Sequence, residues 1–466
     1  MIKESITSRV LQRALQTGGD FAELFVEDTE GNSLALVNMD VENAGFSRSR
    51  GAGLRVLLGT RTVYTYTNDL TEEGLMKAAA AAAQALGRLK DGEDETATIR
   101  FAQQRYESSA KQLFKSVVHQ DRIKLIKSGT ESAKAFSDEI VQTRASYMDS
   151  DQRILVANSD GVWAEDRRHH TRISIMAIAR KDNDTQTGSV SPGAGQGFEF
   201  YEGLDLAALG REAAEQAVTM LHAPDCPAGY LPVVLDGGFG GVIFHEACGH
   251  SLEATSVAKG NSEFSGKFGQ QIASTKVSAV DDGTIPGAWG SLNIDDEGMP
   301  TQKNQLIKDG ILTSYLIDKV GGRRMNMAPT GSSRRQSYEW SPTSRMTNTY
   351  IEGGTDDNDE MIASMDEGLY AKALGGGSVN PLTGQFNFSV REGYWVKNGR
   401  IVTPVRGATL IGKGSEILLN IDRVGAGPTL AEGMCGSQSG SLPVTVGQPR
   451  IRVSELTIGG KGDKIE

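Results

Sequence analysis

A strand, a glycine-rich turn and a histidine-rich segment follow one another in the middle of the chain, and they constrain its fold more than any other stretch. The apolar run 230–236 predicts a strand. Four of the next five residues, 237–241, are glycine, so the backbone can turn sharply from the strand into a helix. Residues 244–253 then carry two histidines, two glutamates and a cysteine. The sequence therefore predicts a strand-turn-helix unit that presents metal-binding side chains.

Two histidines on either side of a glutamate form the pattern of a metal-hydrolase helix, in which the imidazoles bind the ion and the carboxylate moves protons. Here the histidines are His245 and His250, five residues apart. On a regular α-helix this spacing sets two side chains about 140° apart around the axis, so they cannot bind one ion. We therefore expect a distortion between Glu246 and His250, either a π-type bulge or an unwinding at Gly249. The alternative is that both are ordinary core or surface histidines.

A catalytic zinc ion takes three protein ligands, so a third donor is needed. Glu253 lies three residues after His250, and Cys248 could also reach the ion if the helix is broken. Cys435 is a stronger candidate because glycines flank it in the run 433–438, where the backbone can approach an ion closely. The alternative for Cys435 is a small buried thiol, the commoner fate of a lone cysteine. The residues alone leave the third ligand open.

Length and composition bound the class of protein. A chain of 466 residues is too long for one ordinary core. The formal net charge of -11 disfavours a general binder of nucleic acid or of anionic membranes. We find no apolar run of about 18 residues that would span a membrane and no signal-peptide pattern at the start. Three cysteines are too few for a disulfide framework. We therefore expect a cytoplasmic protein without nucleic-acid or membrane partners.

The two parts of the chain differ in pattern, and we place the domain boundary between residues 222 and 223. The first part, 1–222, mixes helical periodicity with strand-like runs and has no evident catalytic cluster. It predicts a layered α/β domain that serves assembly or encloses the active site. The predicted helices lie near 2–18, 72–87 and 204–221, the predicted turns at 29–32 and 149–151, and a predicted loop at 181–197.

The second part, 223–466, consists mostly of short strand-like runs punctuated by glycine. This pattern is typical of a mainly antiparallel β domain with a barrel-like or sandwich-like architecture. The metal-binding helix belongs to this domain. The predicted fold class is therefore α+β.

Several stretches of the second part match one known family. They are the HExxxH run 245–250, the run Gly433-Met434-Cys435-Gly436, the tail 443–449, and the runs 345–348, 375–377, 384–386, 392–394 and 407–412. With these motifs the chain resembles the TldD/PmbA family of metallopeptidases over essentially its whole length. In that family the TldD branch carries HExxxH and the PmbA branch, also named TldE, lacks it. The chain resembles the TldD-type subunit.

The resemblance implies a metalloprotease with one Zn²⁺ per subunit, bound by His245, His250 and Cys435. It implies that Glu246 is the general base, which accepts the proton of the attacking water. It also implies that Glu253 orients a ligand histidine rather than binding the ion itself.

The same resemblance implies an endopeptidase that cleaves unfolded or flexible peptides and small proteins. Its partner would be a PmbA/TldE-type subunit or a second copy of itself. Arg345, Asn348 and Tyr394 lie in the matched runs and are candidates to hold substrate or oxyanion, although a surface or structural pair is the alternative for such an arginine. The glycine-rich runs 375–377 and 436–440 are either turns or a backbone edge to which an extended peptide adds as a strand.

Two other functions stay open at this point. The chain could be a non-proteolytic interaction protein that modulates a toxin–antitoxin or topoisomerase system. The intact set His245, Glu246 and His250 argues against this alternative, since a scaffold does not require metal ligands. A metal-dependent amidase acting on small molecules would use the same residues, so the motif does not separate it from a peptidase.

Overall fold

The computed structural model describes residues 2–87, 99–380 and 382–465. Its elements up to residue 222 are α1 (Glu4–Leu15), β1 (Phe21–Val37), β2 (Asp40–Leu58), β3 (Arg61–Thr67), α2 (Glu72–Leu86), β4 (Ala102–Arg105), α3 (His119–Lys134), β5 (Ile140–Asn158), β6 (Val162–Lys181), β7 (Asp184–Val190), β8 (Gly193–Ala194) and α4 (Leu206–His222).

The elements after residue 222 are mostly short strands. They are β9 (Gly229–Leu235), α5 (Val242–Ala247), α6 (Ala254–Val257), β10 (Ala279–Asp282), β11 (Lys303–Lys308), β12 (Ile311–Leu312), α7 (Lys319–Met325), β13 (Ser333–Arg334), β14 (Thr343–Ser344), β15 (Asn348–Ile351), α8 (Asn358–Ala363), β16 (Glu367–Val379), β17 (Gln385–Lys397), β18 (Arg400–Val405), β19 (Thr409–Lys413), α9 (Gly414–Asn420), β20 (Ile421–Val424), β21 (Thr429–Ser437), β22 (Gly440–Gln448) and β23 (Ile451–Gly459).

One long sheet with strand order β3-β2-β1-β5-β6-β4 forms the centre of the first part, and β7 and β8 pair with β6. Helices cover one face of it: α1 and α2 pack on the apolar residues of β1 and β2, and α3 and α4 pack further along the same sheet. Alternate residues of a strand point to opposite faces. The residues between those covered by helices, such as Phe25, therefore face the second part of the chain, where Phe25 packs with Ile294 and Tyr338.

The predicted helices α1, α2 and α4 are confirmed, but the predicted turns at 29–32 and 149–151 are wrong. Both stretches lie inside long strands, and they face each other: Gly31 pairs with Ser150, and Asn32 with Asp149. The backbone N–H and the side-chain amide of Asn32 donate to Asp149 Oδ1 at 3.1 and 2.7 Å. The polar residues that indicated turns therefore hydrogen-bond across the sheet. The predicted loop 181–197 is also wrong, because it contains β7.

A closed ring of five strands, β16-β9-β23-β19-β17, forms the barrel of the second part, since β17 also pairs with β16. Two further strands pair with members of this ring: β18 with β17, and β20 with β23. The large apolar core of the chain includes inward residues of the barrel together with α5. These sheets confirm the predicted α+β class and the barrel-like architecture.

A second sheet of the same part, with order β12-β11-β10-β15-β22-β21, stands beside the barrel. β21 and β22 form a hairpin in which β21 is the edge strand. α5 follows directly on barrel strand β9 and contacts both the barrel and β22. The helix therefore lies where the two sheets meet. Over the described ranges, no helix is both long enough and apolar enough to cross a membrane.

Candidate metal centre

The predicted distortion of the histidine-bearing helix is confirmed. The α-helical segment α5 ends at Ala247, because Cys248 leaves the helical region with φ -126° and ψ -51°. A 3-10 turn, Gly249–Leu252, then continues the chain. His245 is on the α-helix and His250 on the 3-10 turn, and their ring centroids are 5.1 Å apart. The unwinding at Cys248 thus brings together two side chains that a regular helix would separate.

His250 lies between one thiol and two carboxylates. Its Nε2 lies 3.2 Å from Cys435 Sγ and 3.9 Å from Glu246 Oε2. Its Nδ1 lies 3.2 Å from Glu253 Oε1, and the Glu253 side chain is almost fully buried. A carboxylate behind a histidine fixes the ring orientation and makes the opposite nitrogen a better ligand. Glu253 therefore lies on the Nδ1 side of the His250 ring, opposite Cys435.

Cys435 reaches the histidines from the other side of the site. It lies on edge strand β21, opposite Leu442 of β22, and it is buried. Burial disfavours a thiolate, but the charges and hydrogen bonds of His245 and His250 outweigh it and lower the pKa of the thiol to about 3. The thiolate is the form of cysteine that binds metals.

His250 carries the complementary charge. Burial disfavours the imidazolium, but the charge of Glu253 and the contacts with Cys435 outweigh it and raise the pKa of His250 well above its usual value. The imidazolium of His250 and the thiolate of Cys435 thus attract each other across the 3.2 Å between Nε2 and Sγ.

The donor set fits a metal ion. One ring nitrogen each of His245 and His250 and the sulfur of Cys435 all lie within 4.8 Å of one another. Within the part of the chain that is described, the buried Nδ1 of His245 has no hydrogen-bond partner, which is costly unless another group satisfies it. Two imidazoles and a thiolate are a donor set that suits zinc and leaves one coordination position open.

Glu246 is next to this cluster on the more accessible side. Its side chain is 24% exposed, whereas that of His250 is 12% exposed. A carboxylate that is near the metal ligands and still reachable by water is in the position that a general base requires.

The three predicted substrate-binding residues lie elsewhere or make other contacts. Asn348 is fully buried; its Oδ1 accepts from the N–H of Gly290, and its Nδ2 donates to the carbonyl of Asp282. The hydroxyl of Tyr394 donates to Glu392 at 2.6 Å, and its ring stacks on Tyr370. These contacts favour structural roles for both residues.

Tyr394 also lies on the other face of the barrel wall. It packs with Val234, whereas α5 packs with Val233 and Leu235, which point the opposite way along β9. Arg345 does reach the cluster, but from behind: it is 1% exposed and donates to the carbonyl oxygen of Cys435. Burial of this kind favours positioning over contact with substrate.

One contact that places the site was missed from the sequence. A Cβ added to Gly241, at the start of α5, would lie 2.4 Å from the backbone nitrogen of Gly447 in β22. The helix therefore approaches the hairpin that carries Cys435 through a glycine on each side. The glycine-rich turn 237–241 indicates that the backbone can approach another element closely, but it does not indicate which strand the helix approaches.

Models of one protein family match nearly the whole chain. The PmbA/TldA metallopeptidase domain 1 matches residues 22–86, the central domain matches 113–221, and the C-terminal domain matches 228–460.

Full-length relatives agree. The chain is 36% identical to the metalloprotease TldD homolog of Haemophilus influenzae over 449 residues, which cover 95% of this chain and 93% of that protein. It is 30% identical to a metalloprotease of Archaeoglobus fulgidus, over 92% of this chain and 96% of that one.

Solved structures share the fold. TldE from Thermococcus kodakarensis superposes with a TM-score of 0.76 at 16% identity, over 98% of this chain and 100% of that one. A Thermotoga maritima protein named as a candidate modulator of a DNA gyrase gives a TM-score of 0.78 at 23% identity, over 98% and 100% of the two chains. At such identities the likeness concerns the fold alone. The family models and the full-length relatives go further, and they show that the chain belongs to the PmbA/TldD family of metallopeptidases.

Proposed function

We propose that this chain is a zinc-dependent endopeptidase that cleaves unfolded or flexible peptides and small proteins. One observation carries the proposal: donors from two segments 185 residues apart in sequence meet beside a water-accessible glutamate. In this proposal His245, His250 and Cys435 bind one Zn²⁺ per subunit. Glu246 is the general base.

In this proposal, different residues bind the metal, transfer the proton and orient a ligand. A zinc ion bound by the three ligands supplies Lewis acidity toward the peptide carbonyl and the attacking water. Glu246 accepts the proton of that water and returns it to the leaving amine. Glu253 holds His250 in the orientation in which Nε2 faces the site, 3.2 Å from the sulfur of Cys435.

The edge position of β21 supports the substrate class. This strand carries Cys435, and both Met434 and Gly436 beside it are exposed. An extended peptide that adds to such an edge binds through its main chain, so its side-chain sequence matters little and it must be unfolded. The carbonyl oxygens of Gly433 and Cys435 already accept hydrogen bonds from Trp289 and Arg345, so an added peptide would pair with the remaining backbone groups of β21.

We further propose that the enzyme works in the cytoplasm, as a dimer with a PmbA/TldE-type subunit or with a second copy of itself. The similarity to the solved TldE fold supports such a pairing, because the two family branches share one architecture. The three cysteines are all free and buried, which accords with a reducing compartment.

The central experiment compares wild type with Glu246→Gln, after removal of metal with a chelator and reloading with zinc alone. The substrate is an unstructured peptide, and cleavage is followed by mass spectrometry. We expect Glu246→Gln to keep its zinc and to lose about 10²–10⁴-fold in kcat, the usual contribution of a general base. Glu212→Gln, on the exposed face of α4, is the matched control and should cleave normally.

The same experiment, repeated with a small amide as a second substrate, separates the other functions. A wild type that binds zinc but cleaves no peptide, while it hydrolyses small amides, would favour the amidase. A wild type that neither binds zinc nor cleaves either substrate would favour the non-proteolytic regulator.

A further inference from the structure

Arg345 connects the two segments that supply the metal ligands. It lies between β14 and β15, and its side chain is 1% exposed. Its Nη2 donates to the carbonyl oxygen of Cys435, and its Nη1 donates to Ser439 Oγ at 3.0 Å and to the carbonyl oxygen of Gly440 at 2.9 Å. The guanidinium therefore holds the end of the β21–β22 hairpin at three points, one of them the ligand cysteine itself.

The same guanidinium faces the histidine-bearing turn with its remaining edge. Arg345 Nε lies 3.9 Å from Glu253 Oε1, the oxygen that lies 3.2 Å from His250 Nδ1. The side chain of Glu253 is 4% exposed. A continuous chain of polar contacts thus runs from His250 through Glu253 and Arg345 to Cys435, behind the open face of the site.

Because these contacts are buried, breaking them would cost more free energy than breaking the same contacts at the surface. A buried guanidinium or carboxylate is very costly unless an opposite charge and hydrogen bonds compensate it. The opposite charges of Arg345 and Glu253 face each other at 3.9 Å, and three acceptors of the hairpin take hydrogen bonds from the two Nη atoms. The arrangement is stable when both segments are at their observed separation.

We propose that Arg345 is a positioning residue that sets the separation of His250 and Cys435 and so prepares the site for its metal. This inference rests on the proposed function, in which those two residues are zinc ligands. It assigns Arg345 no contact with substrate and no proton transfer. Its expected effect is therefore on metal affinity and on the position of the cysteine.

Lysine cannot replace this arginine. A guanidinium is a rigid fork with five donors, whereas an ammonium is a compact charge on a flexible stem. A lysine at position 345 can keep the charge opposite Glu253 or reach the hairpin acceptors, but it cannot reproduce the spacing between them. Arg345→Lys is thus a charge-conserving test of positioning.

The test measures zinc affinity by competition with a chromogenic chelator, on metal-stripped protein titrated with zinc alone. Arg345→Lys should bind zinc about 10- to 100-fold more weakly than wild type, the usual cost of losing a group that orients the ligands. Arg122→Lys is the matched control, because Arg122 is also almost fully buried, pairs with Asp149, and donates to the carbonyl oxygens of Val117 and Phe114 in the first part of the chain. It should leave zinc affinity unchanged.

A second readout needs no metal. In metal-free protein, Arg345→Lys should speed alkylation of Cys435 several-fold, measured on its peptide by mass spectrometry, while buried Cys226 is the internal reference. If Arg345→Lys does not fold, Ser439→Ala removes one anchor of the guanidinium without a charge change. It should weaken zinc binding in the same direction by a smaller factor.

The outcomes separate this inference from the proposed function. If wild type binds zinc and cleaves peptide while Arg345→Lys matches it in zinc affinity and in alkylation rate, the positioning role is wrong and the function stands. If wild type takes up no zinc, the proposed function fails. The alkylation rates of Cys435 then decide whether Arg345 still positions the cysteine.

Discussion

The stability of this fold depends on the protonation state of one buried histidine, His170. It lies on β6 at the contact between the long sheet and the second part of the chain, and its Nε2 donates to the carbonyl oxygen of Trp289 at 3.1 Å. Burial, followed by the positive charges of Arg334 and Arg168, lowers the pKa of His170 to about 3. The folded protein therefore keeps this ring neutral at pH values where an exposed histidine is protonated.

This shift predicts a loss of stability in mild acid. The unfolded chain binds a proton at His170 near pH 6.5 and the folded chain does not, so stability is fully present above pH 6.5 and falls as the pH drops toward 3. Between pH 7.5 and 5.5 the loss from this residue is about 1.4 kcal/mol. In urea titrations at pH 7.5 and 5.5, the free energy of unfolding should fall by about 1.4 kcal/mol less for His170→Gln than for wild type. The exposed His119 provides the control, and an equal effect of His119→Gln would contradict the assignment to His170.

At the residue scale, much of the site could be predicted from the sequence. The pair His245 and His250 with Glu246 is a local pattern, and its odd spacing already required a break in the helix. The glycines beside Cys435 made it a candidate, but only the resemblance to a family favoured a ligand over a buried thiol. The position of Arg345 behind Glu253 was not predictable, since it depends on contacts between segments about 90 residues apart.

At the scale of elements, the approach of α5 to β22 sets the site. Gly241 opens the helix, and an added Cβ there would lie within 2.5 Å of three backbone atoms of Gly447. Backbone in the middle of a paired strand cannot move aside as a flexible side chain can. The two glycines therefore keep the helix with His245 close to the hairpin with Cys435.

Gly241→Ala tests this contact. Forcing a methyl group into such a gap costs about 1–3 kcal/mol or more, and it should also push the histidines away from the cysteine. We expect a lower urea midpoint and weaker zinc binding in the competition assay. Gly203→Ala is the control, because an added Cβ there meets nothing within 4 Å. Normal zinc binding by Gly241→Ala would show that the helix can shift without affecting the site.

The prediction of secondary structure failed where polar residues pair with residues that are distant in sequence and close only in the folded chain. The glycine and asparagine at 31 and 32 indicate a turn by local chemistry. In the sheet they face Ser150 and Asp149, which also indicate a turn. The two stretches with turn-like sequences lie opposite each other in adjacent strands, and the side chain of Asn32 donates a hydrogen bond to Asp149 across the sheet. By contrast, the glycine-containing turn between Leu58 and Arg61 does join two paired strands, and there the turn chemistry agrees with the apolar alternation on both sides.

At the scale of the whole molecule, buried charges connect the long sheet to the second part of the chain. Arg55 of β2 donates to Glu23 at 2.8 Å and to Glu297 at 2.7 Å, and Arg335 donates to the other oxygen of Glu23 at 2.6 Å. All four side chains are nearly or fully buried. The network crosses between segments more than 200 residues apart, so it couples the two parts. The boundary at residues 222–223 itself stays a prediction.

Removing Arg55 should weaken that coupling. Arg55→Leu leaves Glu297 as a buried carboxylate without its cation, and breaking such a pair costs about 3–5 kcal/mol. We expect a large fall in the urea midpoint. Arg48 lies on β2 like Arg55 but forms an exposed ion pair with Asp28 of β1, so Arg48→Leu should leave the midpoint nearly unchanged. Equal midpoints for the two variants would mean that the buried network does not stabilise the assembly of the two parts.

The central claim is that two histidines and a distant cysteine bind one metal ion, and X-ray absorption at the zinc edge tests it most directly. Zinc-loaded wild type should show one sulfur neighbour at about 2.3 Å and two imidazole nitrogens at about 2.0–2.1 Å. Cys435→Ser should lose the sulfur and keep the imidazole signal. A wild-type spectrum with nitrogen and oxygen neighbours and no sulfur would contradict the account.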